Sequence, residues 1–235
     1  MLDRAIDVLF PRSCAGCGAG PWPFCDSCAN DLVPLGPPRC RRCGRPTERD
    51  VDSCRDCPPA PITSARAAFA YRGPAKEAVH RLKFSGWRGV GDALAGAVAA
   101  LGPPPADAVT WVPLAPRRRA ERGFDQAKVL ARALARRLDL PAVAVVRRTT
   151  ATAPQARRSR EERLRAMEGA FSRIPHVTAP ARLLLVDDVL TTGATASACA
   201  AALVDAGATE IHLVTACRSF ADRPTGSAVR ASEGA

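Results

Sequence analysis

Eight cysteines, arranged as four C-x-x-C pairs between residues 14 and 57, constrain the fold of this chain more than any other feature. A gap of two residues lets both sulfurs of a pair face one ion, and tetrahedral zinc binds four thiolates at about 2.3 Å. Four pairs therefore predict two structural zinc ions, which stabilise a segment too small to build its own core. The predicted ligands are Cys14, Cys17, Cys25, Cys28, Cys40, Cys43, Cys54 and Cys57.

The order of the pairs favours two sequential sites, C-x2-C-x7-C-x2-C and then C-x2-C-x10-C-x2-C, and leaves a crossed pairing open. Redox pairs and disulfides are the alternatives to metal. A redox motif is expected beside a βαβ pattern, which is absent around these pairs. The N-terminal apolar run is too short for a signal peptide, so we expect a cytoplasmic protein, in which disulfides are rare. No apolar run is long enough for insertion into a membrane.

Beyond Thr63 the sequence alternates between apolar strand patterns and amphipathic helix patterns. The predicted strands are 66–71, 108–114, 142–147, 182–186 and 210–216, and the predicted helices are 74–84, 92–101, 123–138, 160–167 and 193–206. This alternation indicates an α/β fold with a mostly parallel sheet flanked by helices. We therefore divide the chain into a Cys-rich region (1–60), an α/β domain (61–220) and a tail (221–235) expected to be disordered.

Positive charge is concentrated in the middle of the chain. The formal net charge is +11, and residues 111–170 carry 15 basic against 6 acidic side chains, a net +9. Such a block indicates an anionic ligand near one site or one nucleic-acid face. Three interpretations stay open: neutralisation of a pyrophosphate, a track for single-stranded DNA, and a solvated arginine surface.

The most informative motif is an apolar strand that runs into Asp187 and Asp188 and then into Thr191-Thr192-Gly193-Ala194-Thr195 at the start of a helix. Backbone N–H groups and hydroxyls at a helix N-terminus bind a phosphate dianion. Carboxylates at the carboxyl end of a strand can accept hydrogen bonds from a vicinal diol. The motif therefore predicts a ribose 5-phosphate site, and its structural alternative is an acidic turn before a capped helix.

Residues 183–195 resemble the motif by which type I phosphoribosyltransferases bind phosphoribosyl pyrophosphate (PRPP). The chain from about Cys14 to Phe220 resembles the ComF family of competence proteins, which have an N-terminal double zinc ribbon and a C-terminal phosphoribosyltransferase-like domain. The other segments that carry the resemblance are Tyr71-Arg-Gly73, Leu82-Lys83-Phe84, Val112-Pro-Leu-Ala115, Arg117-Arg-Arg119, Arg122-Gly-Phe124 with Gln126, and Gln155 before Arg163.

The resemblance implies roles for individual residues. Asp187 and Asp188 would bind the ribose hydroxyls, and Thr191, Thr192, Gly193, Ala194 and Thr195 would hold the 5′-phosphate. Pro113, Leu114 and Ala115 would form the pyrophosphate loop, with Arg117, Arg118 and Arg122 nearby. Residues 149–163, which include Gln155, match the flexible loop that closes over PRPP, and Mg²⁺ would accompany the pyrophosphate.

Two departures affect the functional interpretation. Thr191 stands where purine-base transferases usually have an aspartate, so no residue here identifies an acceptor base or a general base. Asp125 stands where the family commonly has asparagine, and an aspartate can still accept hydrogen bonds.

Two functions follow from the resemblance. The first is a cytoplasmic protein that acts during the uptake of single-stranded DNA, with a helicase and a strand-loading protein as partners. Its site would bind PRPP with Mg²⁺, a nucleotide or a DNA 5′-phosphate. The second is an active phosphoribosyltransferase in which Asp187 and Asp188 hold the ribose, Mg²⁺ neutralises the pyrophosphate and residues 149–163 exclude water.

Overall fold

A four-stranded parallel sheet is the centre of this computed structural model, which describes residues 13–149, 167 and 169–220. The sheet consists of β1 (Ser64–Ala70), β2 (Ala108–Trp111), β5 (Arg182–Leu190) and β6 (Glu210–Arg218). Their spatial order is β1-β6-β5-β2, and every neighbouring pair is parallel. Two short strands, β3 (Val146–Arg148) and β4 (Phe171–Arg173), form a separate antiparallel pair. The predicted α/β class with a mostly parallel sheet is confirmed.

Helices cover the two faces of the sheet unequally. The helices are α1 (Asp26–Asn30), α2 (Gly73–Phe84), α3 (Gly89–Ala99), α4 (Pro116–Arg122), α5 (Gln126–Leu138) and α6 (Ala194–Asp205). Buried side chains of α2, α3 and α5 pack with Leu184 and Val186 on one face of β5. On the other face, Leu183 and Leu185 pack with α6, with the β3–β4 pair and with cysteines of the Cys-rich region. Burial of both faces explains the continuous apolar pattern of the central strands.

The helix predicted over 123–138 begins later, as α5 at Gln126, and a short helix that was not predicted, α4, precedes it. Gly123 has φ +74° and ends α4, because this left-handed conformation suits glycine. Asp125 then caps α5 by accepting a hydrogen bond from the Lys128 backbone N–H at 3.2 Å. The polar turn between the two helices brings the start of α5 close to the 113–115 segment.

The strand predicted over 182–186 continues to Leu190. Residues 187, 189 and 190 pair with Thr215, Cys217 and Arg218 of β6, so the two aspartates lie within β5 and not beyond its end. The strand predicted over 108–114 ends earlier, at Trp111, since Pro113 cannot donate to the ladder. Most of the predicted 142–147 strand is replaced by a single bridge between Ala142 and Val109, followed by β3. The helix expected over 160–167 and the tail beyond 220 lie outside the described residues, apart from Met167.

Candidate functional site

A cavity of about 270 Å³ lies where β2 and β5 approach their carboxyl ends. Strand β5, the segment after β2, several helices and β3 contribute to it. Its lining residues are Lys83, Val112, Pro113, Leu114, Arg118, Arg122, Gln126, Arg148, Met167, Asp187, Asp188 and Thr195. The cavity thus brings together seven residues singled out from the sequence: Asp187, Asp188, Thr195, Pro113, Leu114, Arg118 and Arg122.

Asp188 is held from both sides. Its Oδ1 lies 2.8 Å from the Lys83 ammonium, and its Oδ2 accepts a hydrogen bond from Gln126 Nε2 at 2.9 Å. Gln126 in turn accepts from the Arg122 guanidinium at 3.0 Å. The Asp188 side chain is only 7% exposed, so these partners offset the cost of burying its charge. The network fixes the position of this carboxylate.

Asp187 is in a different environment from its neighbour. Its Oδ1 accepts a hydrogen bond from the Asp188 backbone N–H at 2.8 Å. Within the described residues, no side chain donates a hydrogen bond to Asp187. Burial and, secondarily, the negative charge of Asp188 raise the pKa of Asp187, and Lys83 offsets only part of this increase. The cavity therefore combines one carboxylate held by its partners with one carboxyl group that has spare acceptor capacity.

The turn after β5 has the features of an anion site. Gly193 has φ +80° and precedes α6, which has no acidic residue in its first turn. The first N–H groups of a helix lack intrahelical partners and carry partial positive charge. Thr195 lines the cavity, whereas the other residues of the turn, Thr191 to Ala194, lie beside it, with Thr191 exposed and Gly193 buried.

Asp125 fixes the 113–115 segment. Its Oδ2 accepts from the Leu114 backbone N–H at 2.9 Å, while its Oδ1 caps α5. Both oxygens act as acceptors, which explains why an aspartate suits this position. Burial raises the pKa of Asp125, and the backbone donors partly oppose that shift. Ala115, the third residue of the segment, is buried and serves as the N-cap residue of α4.

The cavity has a positive balance of charge. Lys83, Arg118, Arg122 and Arg148 line it against the two carboxyl groups. Such a balance favours an anionic ligand. Arg117, by contrast, does not reach the cavity: it pairs with Glu121 at 2.9 Å on the exposed face of α4. Gln155 and residues 150–163 of the expected closing loop lie outside the described residues.

A larger cleft of about 900 Å³ adjoins the cavity and shares Pro113, Leu114 and Arg148 with it. Its wall carries further basic side chains, Arg119, Lys128 and Arg147. The Lys128 ammonium lies 5.4 Å from the centre of the Trp111 ring, a cation–π contact. Part of the arginine-rich middle of the chain therefore faces a cleft and not only bulk solvent.

The cysteines form two groups in sequential order, Cys14/Cys17/Cys25/Cys28 and Cys40/Cys43/Cys54/Cys57, here named the first and second cysteine clusters. Within each, the sulfurs all lie within 4.8 Å of one another. Sulfurs at the corners of a tetrahedral zinc site with bonds of about 2.3 Å would be about 3.8 Å apart. The Cys17–Cys25, Cys40–Cys57 and Cys43–Cys54 separations of 3.8, 3.6 and 3.6 Å fit this geometry. Both clusters therefore suit zinc.

The second cysteine cluster contacts the turn before α6. A Cβ atom on Gly193 would lie 2.9 Å from Cβ of Pro58, the residue after Cys57. The Ser197 hydroxyl of α6 donates to the Ala60 carbonyl at 2.6 Å. Arg218, at the end of β6 and 2% exposed, donates to the Cys43 carbonyl at 2.6 Å and to the Asp56 carbonyl at 3.0 Å. The cluster and the turn are packed as one unit.

Three polar or charged residues that line the cavity were not assigned a role from the sequence: Lys83, Gln126 and Arg148. Lys83 and Gln126 lie in segments that carried the family resemblance, and this resemblance was the one indication in the sequence that they could belong to the site. Their shared contact with Asp188 joins positions far apart in the chain, which local patterns do not indicate.

Two family models match the chain, a double zinc ribbon domain over residues 5–58 and a phosphoribosyl transferase domain over residues 122–230. The chain is 31% identical to the DNA utilization protein YhgH of Escherichia coli strain K12 over 86% of this chain and 92% of that protein. It is 28% identical to the competence protein ComFC of Bacillus subtilis strain 168 over 78% of each. With the competence protein ComFC of Streptococcus pneumoniae the identity is 31% over 80% of this chain and 84% of that protein.

Among solved structures, the glutamine PRPP amidotransferase from B. subtilis complexed with ADP and GMP matches with a TM-score of 0.36 and 24% identity. The match covers 58% of this chain and 26% of that one. None of the helices within residues 13–149 and 169–220 is long and apolar enough to cross a membrane.

Proposed function

This chain belongs to the ComF family, and on that premise we propose that its cavity binds the ribose 5-phosphate group of PRPP or of a nucleotide. The observation that carries the proposal is the pair of adjacent carboxyl groups in β5, next to the N-terminus of α6 and among four basic side chains. Acceptors for a diol and donors for a phosphate thus lie within one cavity.

Each part of the cavity suits one part of the ligand. Asp187 has free acceptor capacity for a ribose hydroxyl, and Asp188 supplies a second acceptor whose orientation Lys83 and Gln126 fix. The 191–195 turn, of which Thr195 lines the cavity, would offer backbone donors to the 5′-phosphate. The 113–115 segment, with Arg118 and Arg122 beside it, would lie along a pyrophosphate, whose oxygens would bring Mg²⁺ as their counter-ion. Zinc in both cysteine clusters would be structural.

We propose a cytoplasmic role in the handling of single-stranded DNA. Two relatives are named as competence proteins and another as a DNA utilization protein. The larger basic cleft supports a polyanionic partner, since a groove of arginine and lysine side chains follows a phosphate backbone without sequence preference. A helicase and a strand-loading protein are the partners that this role requires.

A second candidate is phosphoribosyl transfer. The 900 Å³ cleft beside the smaller cavity offers room for an acceptor, and the matching family model is that of a transferase domain. In such a reaction the bond from C1 of the ribose to pyrophosphate breaks, pyrophosphate leaves, and C1 bonds to the acceptor. Asp187 and Asp188 would orient the ribose for this exchange.

Calorimetric titration of zinc-loaded protein with Mg²⁺ and PRPP tests the binding proposal. We expect binding that Asp188→Asn weakens about 10- to 100-fold, because a charged acceptor is lost. The matched control is Asp92→Asn, which removes an exposed carboxylate paired with Arg137 at 2.6 Å. Equal affinity of the wild type and Asp188→Asn would refute the site.

Repeating the titration in the presence of a short single DNA strand distinguishes the two functions proposed for the cleft, DNA binding and phosphoribosyl transfer. Competition between the strand and PRPP is expected if one continuous surface serves both. Release of pyrophosphate in the presence of an acceptor, lost in Asp188→Asn, would establish the transferase instead.

A further inference from the structure

Phe84, at the end of α2, is an exposed aromatic residue beside two residues that line the cavity, Lys83 and Arg122. It is 63% exposed, and it and Val204 are the large apolar residues that the described part of the chain leaves exposed. Single exposed apolar residues are common on protein surfaces. Exposure alone therefore carries no conclusion, and the surroundings of Phe84 matter more.

Two side chains hold the Phe84 ring in place. The guanidinium carbon of Arg122 lies 4.8 Å from the ring centre, a cation–π distance, and the ring of His80 lies 4.7 Å away at an angle of 50°. The ring keeps its exposure despite both contacts. An aromatic ring beside an arginine plane is the arrangement on which bases of nucleic acids stack.

Phe84 is linked to the carboxylate network through two routes. Its neighbour Lys83 pairs with Asp188 at 2.8 Å. Arg122, which contacts the ring, also lines the cavity and donates to Gln126, which donates to Asp188. The aromatic ring is therefore connected to Asp188 through Arg122 and Gln126, and helices α2, α4 and α5 position these side chains.

We propose that Phe84 and Arg122 form a stacking platform for a nucleobase attached to the ribose that Asp187 and Asp188 bind. This inference rests on the proposed function of the cavity and names its ligand class: a base-bearing nucleotide unit is preferred over a bare sugar phosphate. Stacking on a ring face tolerates any base, because each base has a π face. A platform of this kind needs no side chain that recognises a particular base, in keeping with the threonine at position 191.

The same nucleotide unit could come from a free mononucleotide or from the 5′-phosphorylated end of a single strand. Both present a phosphate, a sugar and a base in the same order. The experiment therefore includes both sources.

The test measures the affinity of zinc-loaded protein for ribose 5-phosphate and for a nucleoside 5′-monophosphate. The wild type is expected to bind the nucleotide about 5- to 150-fold more tightly, the range that one stacked base supplies. Phe84→Ala should remove that preference and leave the affinity for ribose 5-phosphate unchanged. Phe84→Trp should restore it, and Val204→Ala, the control at the other exposed apolar residue, should change neither affinity.

Competition by an oligonucleotide identifies the source. Displacement of the nucleotide by a single strand with a 5′-phosphate, but not with a 5′-hydroxyl, assigns the platform to a strand end, and lack of displacement assigns it to mononucleotides.

Four outcomes overturn the inference. Equal wild-type affinity for both ligands, or an unchanged nucleotide preference in Phe84→Ala, would exclude stacking while leaving the ribose site intact. Equal weakening of both ligands in Phe84→Ala would assign Phe84 a structural role. Binding of neither ligand by the wild type would remove the proposed function together with this inference.

Discussion

The two cysteine clusters have the same ligands and the same spacing within pairs, yet they lie in unlike surroundings. In the first cluster Cys17 is exposed while Cys14 and Cys28 are buried. The cluster meets the α/β domain through Ala15, which packs in the core with Leu184 and Val186, and through Gly16 and Gly18, which lie against Pro74 and Arg81 of α2. In the second, Cys40 and Cys43 are at most 1% exposed and belong to the same hydrophobic core as Leu183 and Leu203. Cysteines of the second cluster are therefore part of a hydrophobic core of the α/β domain, whereas those of the first belong to a segment attached to its helix-covered side.

The difference follows from the unequal covering of the sheet. Three helices cover the face that bears Leu184 and Val186, whereas α6 alone, with the β3–β4 pair, lies on the face of Leu183 and Leu185. The second cluster fills the remaining part of that face. Because the segment after it also contacts Gly193, the integrity of the cluster and the geometry of the ligand turn are joined.

Loss of the second cluster should give the largest effect. Cys43→Ser is expected to destabilise the protein by more than about 4 kcal/mol, a decrease of about 10 °C or more in melting temperature, because it removes a buried metal ligand. Binding of PRPP should be lost with it. Thermal unfolding, zinc content and calorimetry measure these outcomes. A stable Cys43→Ser variant that keeps its affinity would contradict the comparison; if the variant is insoluble, stepwise removal of zinc from the wild type by a chelator gives the same test.

Loss of the first cluster should be milder. Cys17→Ser is expected to release one zinc ion and to cost about 1–2 kcal/mol, because only an attached segment opens. The affinity for PRPP should stay within about threefold, measured as for Cys43→Ser. Equal loss of ligand binding in the two variants would mean that both clusters support the cavity.

The contact between Pro58 and Gly193 can be tested directly. Gly193→Ala is expected to weaken PRPP binding about tenfold, since an alanine at φ +80° costs about 1–2 kcal/mol and its Cβ would meet Pro58. The control is Gly102→Ala, which has φ +59° but open space around a Cβ. That variant should lose stability without losing affinity, and a loss of affinity in both would indicate a general backbone effect.

Protonation of Asp187 should change the stability of the α/β domain core and leave the first cysteine cluster unaffected. Because its pKa is raised in the folded protein, the Asp187 carboxyl group keeps its proton up to a higher pH there than in the unfolded chain. The stability that this bound proton provides is lost as pH rises through the folded pKa. Asp187→Asn removes that dependence. The free energy of unfolding of the variant relative to the wild type, measured by denaturant titration, should therefore increase between pH 6.5 and 8.5, by at most about 1.4 kcal/mol per pH unit. A constant difference across that range would exclude the raised pKa.

The smallest effect is expected at Ser197. Ser197→Ala removes the hydrogen bond to the Ala60 carbonyl and should cost about 1 kcal/mol of stability, with a loss of affinity of about twofold. Thr209→Ala, which removes a hydroxyl bonded to the Ala181 carbonyl at 3.2 Å, is the matched control and should leave affinity unchanged. A larger change in affinity at Thr209 than at Ser197 would show that the Ser197 contact does not support the turn.

Local patterns predicted much of this structure. The C-x-x-C pairs gave the two groups of cysteines, and the apolar run before Asp187 gave the central strand and the turn before α6. Local patterns did not predict two sets of contacts, those of Asp188 with Lys83 and Gln126 and that of Gly193 with Pro58. These contacts join separate elements, and the sequence does not show how such elements pack. Helix α4 was not predicted, because its sequence, PRRRAER, has no apolar face and none of its residues is buried.

The buried Arg218, which donates to carbonyls on either side of the second cluster, has a consequence for how such proteins can evolve. A module joined to its neighbour only by a flexible link can be exchanged between genes or deleted while the rest of the protein persists. Here a cut near residue 60 would leave an internal arginine without its acceptors and part of one face of the sheet open to water. We therefore expect lineages to inherit the second cluster and the α/β domain as a single unit.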